Sequence, residues 1–257
     1  MINHRQNGSG VPVVLLHGFC EDQSLWDDLL PQWAQHGRII TLDLPGFGKS
    51  APLAQGFGIE EVAANIHDFL TRELKLTEYT VLGHSLGGYV SLALAANYPD
   101  YVQAFGLINS TALADSADKK MQRLKTAEFI RQHGVAAFAD NFVPNLFAPE
   151  NRQRLADKLT LVRQMTRGLD KEVVAGYMLA MRQRPGRMDV FRQNKPAMFV
   201  AGLQDPHISH TDIEQHLNGM HNKKLGYALP GVAHMSMYEA PDKLNEAFMA
   251  LISLAKS

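Results

Sequence analysis

The chain has a single cysteine, Cys20, in 257 residues, which excludes internal disulfides and fits a reducing compartment. It also lacks an excess of charge: 25 Lys+Arg against 26 Asp+Glu give a formal net charge of −1, without the footprint of a nucleic-acid or membrane-surface binder. No apolar run approaches the roughly 18 residues of a membrane span. The opening Met1-Ile2-Asn3-His4-Arg5 has none of the apolar stretch of a signal peptide. The expectation is a cytoplasmic protein with a small-molecule substrate and neither a nucleic-acid nor a membrane partner, with monomer and homodimer both left open.

Two nucleotide-binding signatures are present only in part. Asp43-Leu44-Pro45-Gly46-Phe47-Gly48-Lys49-Ser50 ends like a phosphate loop, but Asp43 stands where the first glycine is needed and Pro45 removes an N–H from the cradle. Gly83-x-Ser85-x-x-Gly88 lacks the second glycine of the dinucleotide fingerprint. No cofactor is therefore expected. Asp205, His207, His210, Asp212, His216 and His221 form a loose acidic and histidine cluster, but their spacing matches no helix-face metal pattern, and no metal is expected either.

What is present is 46% apolar residues, enough for one large core. Tyr79 to Leu82 reads as a short buried strand, and from Leu86 small and apolar residues run on as a buried helix until Pro99. Between them stands Gly83-His84-Ser85-Leu86-Gly87. Glycine on both sides permits a strained turn that lifts a serine hydroxyl to a helix N-terminus, where a backbone N–H and the macrodipole can stabilise an oxyanion. Alone, the motif also fits a tight turn with an idle serine.

It is accompanied by Val13-Val14-Leu15-Leu16-His17-Gly18-Phe19, by the Asp43 loop, by Gly202-Leu203-Gln204-Asp205-Pro206 and by Gly231-Val232-Ala233-His234. In this order the chain resembles the α/β-hydrolase superfamily over most of its length. The resemblance implies an α/β fold with a mostly parallel, doubly wound sheet of about seven strands, the first family strand missing. It also implies a nucleophile at Ser85, an orienting acid at Asp205 and a base at His234, with the amides of Phe19 and Leu86 as oxyanion donors. Some superfamily members carry the acid just after the strand equivalent to Val102–Ile108, but here Asn109, Ser110 and Thr111 stand there, so the resemblance implies a later acid, at Asp205, a loop aspartate that could also cap the helix after it.

The strand and helix rhythm gives a helix over Gln23–His36 and another over Ile59–Leu74, then the strand Ala197–Ala201, a helix starting near His207, the strand Lys224–Leu229 and a closing helix over Ala240–Leu254. Residues 112–188 break the rhythm with helical stretches at 117–133, 135–142, 150–168 and 170–183, and resemble the cap that many superfamily members insert. On this division, 1–111 and 189–257 form the core. The insertion carries about six positive charges in excess, and ten of the thirteen arginines lie between Arg123 and Arg192. Such arginines either steer an anionic substrate or occupy the solvent faces of amphipathic helices, the more ordinary arrangement. Candidate pocket residues are Cys20, His84, Phe129, Phe138, Phe142, Met178 and Met235. The resemblance implies a serine hydrolase of small-to-medium carboxylic esters. The same residues in relatives serve thioesters, lactones, carbon–carbon bonds, perhydrolysis or a lyase reaction, and some relatives are small-molecule receptors.

Overall fold

The computed structural model describes residues 1–220 and 224–255. Seven strands, β1 (His4–Asn7), β2 (Pro12–Leu16), β3 (Arg38–Leu42), β4 (Tyr79–His84), β5 (Val102–Ile108), β6 (Ala197–Gly202) and β7 (Lys224–Leu229), form one sheet in the order β1-β3-β2-β4-β5-β6-β7. Only β1 runs antiparallel, paired with β3; the other strands pair in parallel. Every residue of β4 and β6 is buried, as strands covered on both faces require. Alternation along β2 sends Val14 and Leu16 to one apolar layer and Val13 and Leu15 to the other, so the sheet is the partition between two cores.

The helices are α1 (Leu30–Trp33), α2 (Ile59–Asp68), α3 (Leu86–Asn97), α4 (Ala117–Phe142), α5 (Ala156–Arg167), α6 (Lys171–Gln183), α7 (Met188–Phe191), α8 (His210–Asn218), α9 (Ser236–Glu239) and α10 (Pro241–Ala255). The single helix expected over Gln23–His36 is instead a 3-10 turn at Gln23–Trp26, capped by Asp22, followed by the one-turn α1. Pro31 accounts for the break, because it has no N–H for the Asp27 carbonyl and its ring clashes with that turn. The expected 150–168 helix is likewise shortened to α5 after a 3-10 turn at Pro149–Asn151. The stretches 117–133 and 135–142 are two helical segments as expected, divided at Gly134, whose φ of 82° and ψ of 166° are not helical and which no ordinary side chain adopts comfortably; the two are labelled together as α4. The 59–74 helix ends its α geometry at Asp68 and closes with a π turn over Phe69–Glu73. No helix among the described residues is long and apolar enough to cross a membrane.

The parallel connections bring the carboxyl ends of β2, β4, β5 and β6 to one edge of the sheet. That edge is where open α/β sheets hold their ligands.

Candidate active site

Ser85 joins β4 to α3 with φ 48° and ψ −111°, far from both helix and strand. Such a conformation costs on the order of 1–3 kcal/mol and persists only where the surroundings impose it. Here they do: the Ser85 N–H donates to the Ile108 carbonyl at 3.0 Å, its carbonyl accepts from Gly88 N–H at 3.0 Å, and the Ser110 hydroxyl donates to the same carbonyl at 2.7 Å. The flanking glycines answer a steric need. A Cβ on Gly83 would lie 2.1 Å from the Gly87 backbone, and one on Gly87 would lie 2.4 Å from the Leu16 carbonyl oxygen.

His234 follows β7 on the loop before α9. Its Nδ1 donates to Asp205 Oδ2 at 2.7 Å, so in the neutral imidazole the lone pair lies on Nε2. Asp205 stands just after β6, and its other oxygen accepts from the His207 N–H at 2.8 Å. Asn109, with a left-handed φ of 45°, donates to Asp205 Oδ2 at 3.1 Å and to the Ala233 carbonyl at 2.8 Å. Burial alone would push the Asp205 carboxyl up, but the His234 charge and hydrogen bond, aided by His207, hold it below the usual carboxylate range. The helix after Asp205 begins at His210 and is capped by Ser209, so Asp205 is not the cap of α8.

The loop after β2 is fixed from behind by two histidines in opposite states. His17 Nδ1 faces the Gly18 carbonyl and Nε2 accepts from Leu44 N–H at 2.9 Å; with one donor and one acceptor it is neutral, and burial pushes its pKa down. His84 meets the Glu21 carboxylate at 2.9 Å through Nδ1 and the His234 carbonyl at 2.9 Å through Nε2. Both partners can only accept, so His84 carries two protons and a charge. Burial opposes that charge, yet Glu21 beside it holds the pKa above the usual histidine value. Glu21 also accepts from Gly18 N–H at 2.6 Å, so one carboxylate ties the β2 loop to the end of β4. The amides of Phe19 and Leu86 take no protein acceptor among the described residues, and Leu86 opens α3, where no intrahelical acceptor exists.

Ser85 and His234 border one cavity of about 710 Å³, lined by Phe19, by Phe129, Phe138 and Phe142 of α4, by Met178 and Met181 of α6 and by polar and basic side chains of α4, with Pro206 and His207 among its other lining residues. The sequence matches the family described as alpha/beta hydrolase fold over residues 11–241. The chain belongs to that family. Among its relatives, the dihydrolipoyllysine-residue acetyltransferase component of the acetoin cleaving system of Pseudomonas putida is 30% identical over 95% of this chain, which spans only 64% of that protein. A 2-hydroxy-6-oxo-6-(2'-aminophenyl)hexa-2,4-dienoic acid hydrolase of Metapseudomonas resinovorans is 23% identical over 96% of this chain and 85% of its own length. A solved structure of a malate-bound thermophilic esterase from Thermogutta terrifontis superimposes with a TM-score of 0.92 at 26% identity, covering 100% of this chain and 94% of that one.

This alpha/beta hydrolase departs from the sequence reading at three candidate pocket residues. Phe19, Phe129, Phe138, Phe142 and Met178 line the cavity, whereas Cys20, His84 and Met235 do not. Cys20 has a left-handed φ of 64° and is wholly buried, its carbonyl accepting from the Thr166 hydroxyl. His84 points behind the elbow to Glu21, and Met235 packs into the core on the far side of the sheet. Sequence neighbours of Phe19, Ser85 and His234 point away from the cavity that these three line, which adjacency alone does not reveal.

Other contributors were missed. Glu239 is buried and accepts from the amides of Ala148, Ala233 and Met235 and from the Asn151 side chain, holding both sides of the His234 loop. The sketched metal cluster disperses: His210 bonds the Leu203 carbonyl, His216 accepts from Ala112 N–H and stacks on Phe199, and His207 packs edge-on against His234 at 4.8 Å. His221 lies outside the described residues.

Proposed function

We propose that this protein is a serine hydrolase that cleaves a small-to-medium carboxylic ester, or a related thioester or lactone, through an acyl-enzyme on Ser85. The observation that carries the reading is the joint opening of the strained Ser85 and of His234, already held by Asp205, onto one cavity. The family and the esterase likeness support it.

In this reading His234 Nε2 takes the hydroxyl proton as Ser85 Oγ adds to the acyl carbon. The oxyanion so formed meets the Phe19 and Leu86 amides, donors that are each worth about 3–4 kcal/mol in such sites. Collapse breaks the ester bond, and His234 returns the proton to the leaving alcohol. Water, activated by the same nitrogen, then releases the acid and restores Ser85. Asp205 stays ionised and stabilises the imidazolium at each addition. Residues 112–188 act as a cap whose Phe and Met side chains limit the acyl or alcohol part.

The test is turnover of a nitrophenyl ester series by wild type and by Ser85→Ala. The expected result is a loss of order 10⁴-fold in kcat for the variant with an unchanged melting profile; undiminished turnover would overturn the assignment.

A further inference from the structure

Among the described residues, the cavity beside Ser85 has charged side chains of one sign only: Lys119, Arg123 and Lys125 face it, and no carboxylate does. Lys119 and Arg123 are one turn apart on α4, on the same face. Behind them lies an ionic cluster that is not neutral. Arg123 and Arg184 both pair with Asp115, which is 1% exposed, so two guanidiniums share one carboxylate and a positive charge is left over. Arg184 is fully engaged, bonded to the Met181 and Leu113 carbonyls and stacked 3.7 Å over the Tyr89 ring. Arg123 is held less completely: besides Asp115 and the Tyr89 hydroxyl, its Nη1 meets the thioether sulfurs of Met181 at 3.3 Å and Met178 at 3.9 Å, both cavity-lining and both weak acceptors.

Tyr89 registers the resulting potential. Burial would push its phenol up, yet Arg184, Arg123 and Lys119 together hold it below the usual tyrosine range. Tyr89 lines the same cavity as Ser85 and follows it by one turn of α3, with the Tyr89 N–H directed at the Ser85 carbonyl.

We infer that Arg123, with Lys119 and the Tyr89 hydroxyl, forms a carboxylate subsite in this cavity, and that the preferred substrates are half-esters or lactones that keep a free carboxylate on the acyl side. This rests on the reading of Ser85 as the nucleophile. Neighbours one helical turn apart stand about 5–6 Å from each other, which suits an acid with roughly two to four methylenes between the reacting carbonyl and the carboxylate. The substrate carboxylate supplies the missing anion: it replaces the sulfur contacts of Arg123 with charge-assisted hydrogen bonds and neutralises the cluster. A neutral ester of the same length leaves the Nη1 of Arg123 on its weak sulfur acceptors and the cluster without its second anion. The contrast makes the site selective as well as attractive.

The experiment compares the mono-4-nitrophenyl ester of glutaric acid with 4-nitrophenyl pentanoate in wild type, Arg123→Gln and Lys119→Glu, the last keeping the test open should loss of Arg123 prevent folding. The expected result is a wild-type kcat/KM at least about tenfold higher for the glutarate ester, and a ratio of the two esters that falls about tenfold or more in each variant. Binding of monomethyl glutarate to the Ser85→Ala protein by calorimetry, with and without Arg123→Gln, adds a readout that needs no turnover. Arg123-dependent binding there without Ser85-dependent hydrolysis supports the subsite and sinks the nucleophile. Ser85-dependent pentanoate hydrolysis with no preference for glutarate, or a ratio that neither variant moves, overturns the subsite and leaves the nucleophile standing.

Discussion

His84 and Glu21 lie outside the cavity but tie together the loop after β2 and the end of β4 beside it. The pair is almost wholly buried, and removing one partner of a buried pair typically costs about 3–5 kcal/mol because the other charge is left without compensation. His84 has its folded pKa raised above 6.5 and Glu21 has its folded pKa lowered below 4.5. The His84 contribution is thus fully present below about 6.5 and lost as pH rises through its folded pKa; that of Glu21 is present above about 4.5 and lost as pH falls through its own. The stability gap between wild type and His84→Gln is expected to be widest between these values and to narrow on both sides, as measured by urea unfolding across pH; a gap independent of pH would show that the pair is not ionised. The same reasoning applies to Asp205, whose lowered pKa keeps it charged well into acid. Asp205→Asn is expected to reduce kcat by roughly 10⁴, since the amide can favour the wrong imidazole tautomer, while Asp212→Asn, in the capping box of α8, leaves kcat within about twofold. Equal losses in steady-state kinetics would remove Asp205 from its role.

Elements carry the site because their ends converge. The elbow depends on glycines whose substitution has no room: Gly83→Ala places a methyl group inside the backbone of α3, and loss of soluble folded protein, or destabilisation beyond about 4 kcal/mol by thermal melting, is expected. Glu239→Ala leaves three buried amides without their shared acceptor and is expected to cost about 2–4 kcal/mol with a marked fall in kcat, because the loop holding His234 is released. A melting point within 1 °C of wild type would contradict this. The strands and the elbow were legible in the sequence because each has a strong local cause, such as the apolar run of β4 or the two glycines around Ser85. The clamp made by Glu239, the Asn109 bridge to Asp205 and the Arg123–Asp115–Arg184 cluster were not. Their partners are 91, 96 and up to 69 residues apart, and no local pattern marks a side chain whose role is set by long-range contact. The short helices failed for a nearer reason: periodicity in Gln23–His36 outweighed Pro31, whose missing N–H ends a helix wherever it falls past the first turn.

At the scale of the molecule, the sheet supplies a rigid edge and the helices between β5 and β6 supply the chamber above it. Among the arginines of that segment, Arg131 and Arg167 pair with Glu172 and Asp140 at the surface, where each pair contributes about 0–1 kcal/mol, whereas Arg123 is half-buried and lines the cavity and Arg184 is buried. Phe142 and Met178, both lining it, are expected to set length preference: truncating either to alanine should move the optimum of a nitrophenyl ester series toward longer acyl chains while changing kcat on the acetate by less than about fivefold. An unmoved optimum would place the chamber's limit elsewhere. The central claim, that Ser85 is an activated nucleophile at the mouth of this chamber, is tested most directly by intact mass and peptide mapping after incubation with a fluorophosphonate. One covalent adduct per chain on Ser85, slowed at least about a thousandfold in His234→Ala, is the expected result; a chain that stays unlabelled, or an adduct mapped to another serine, would contradict it.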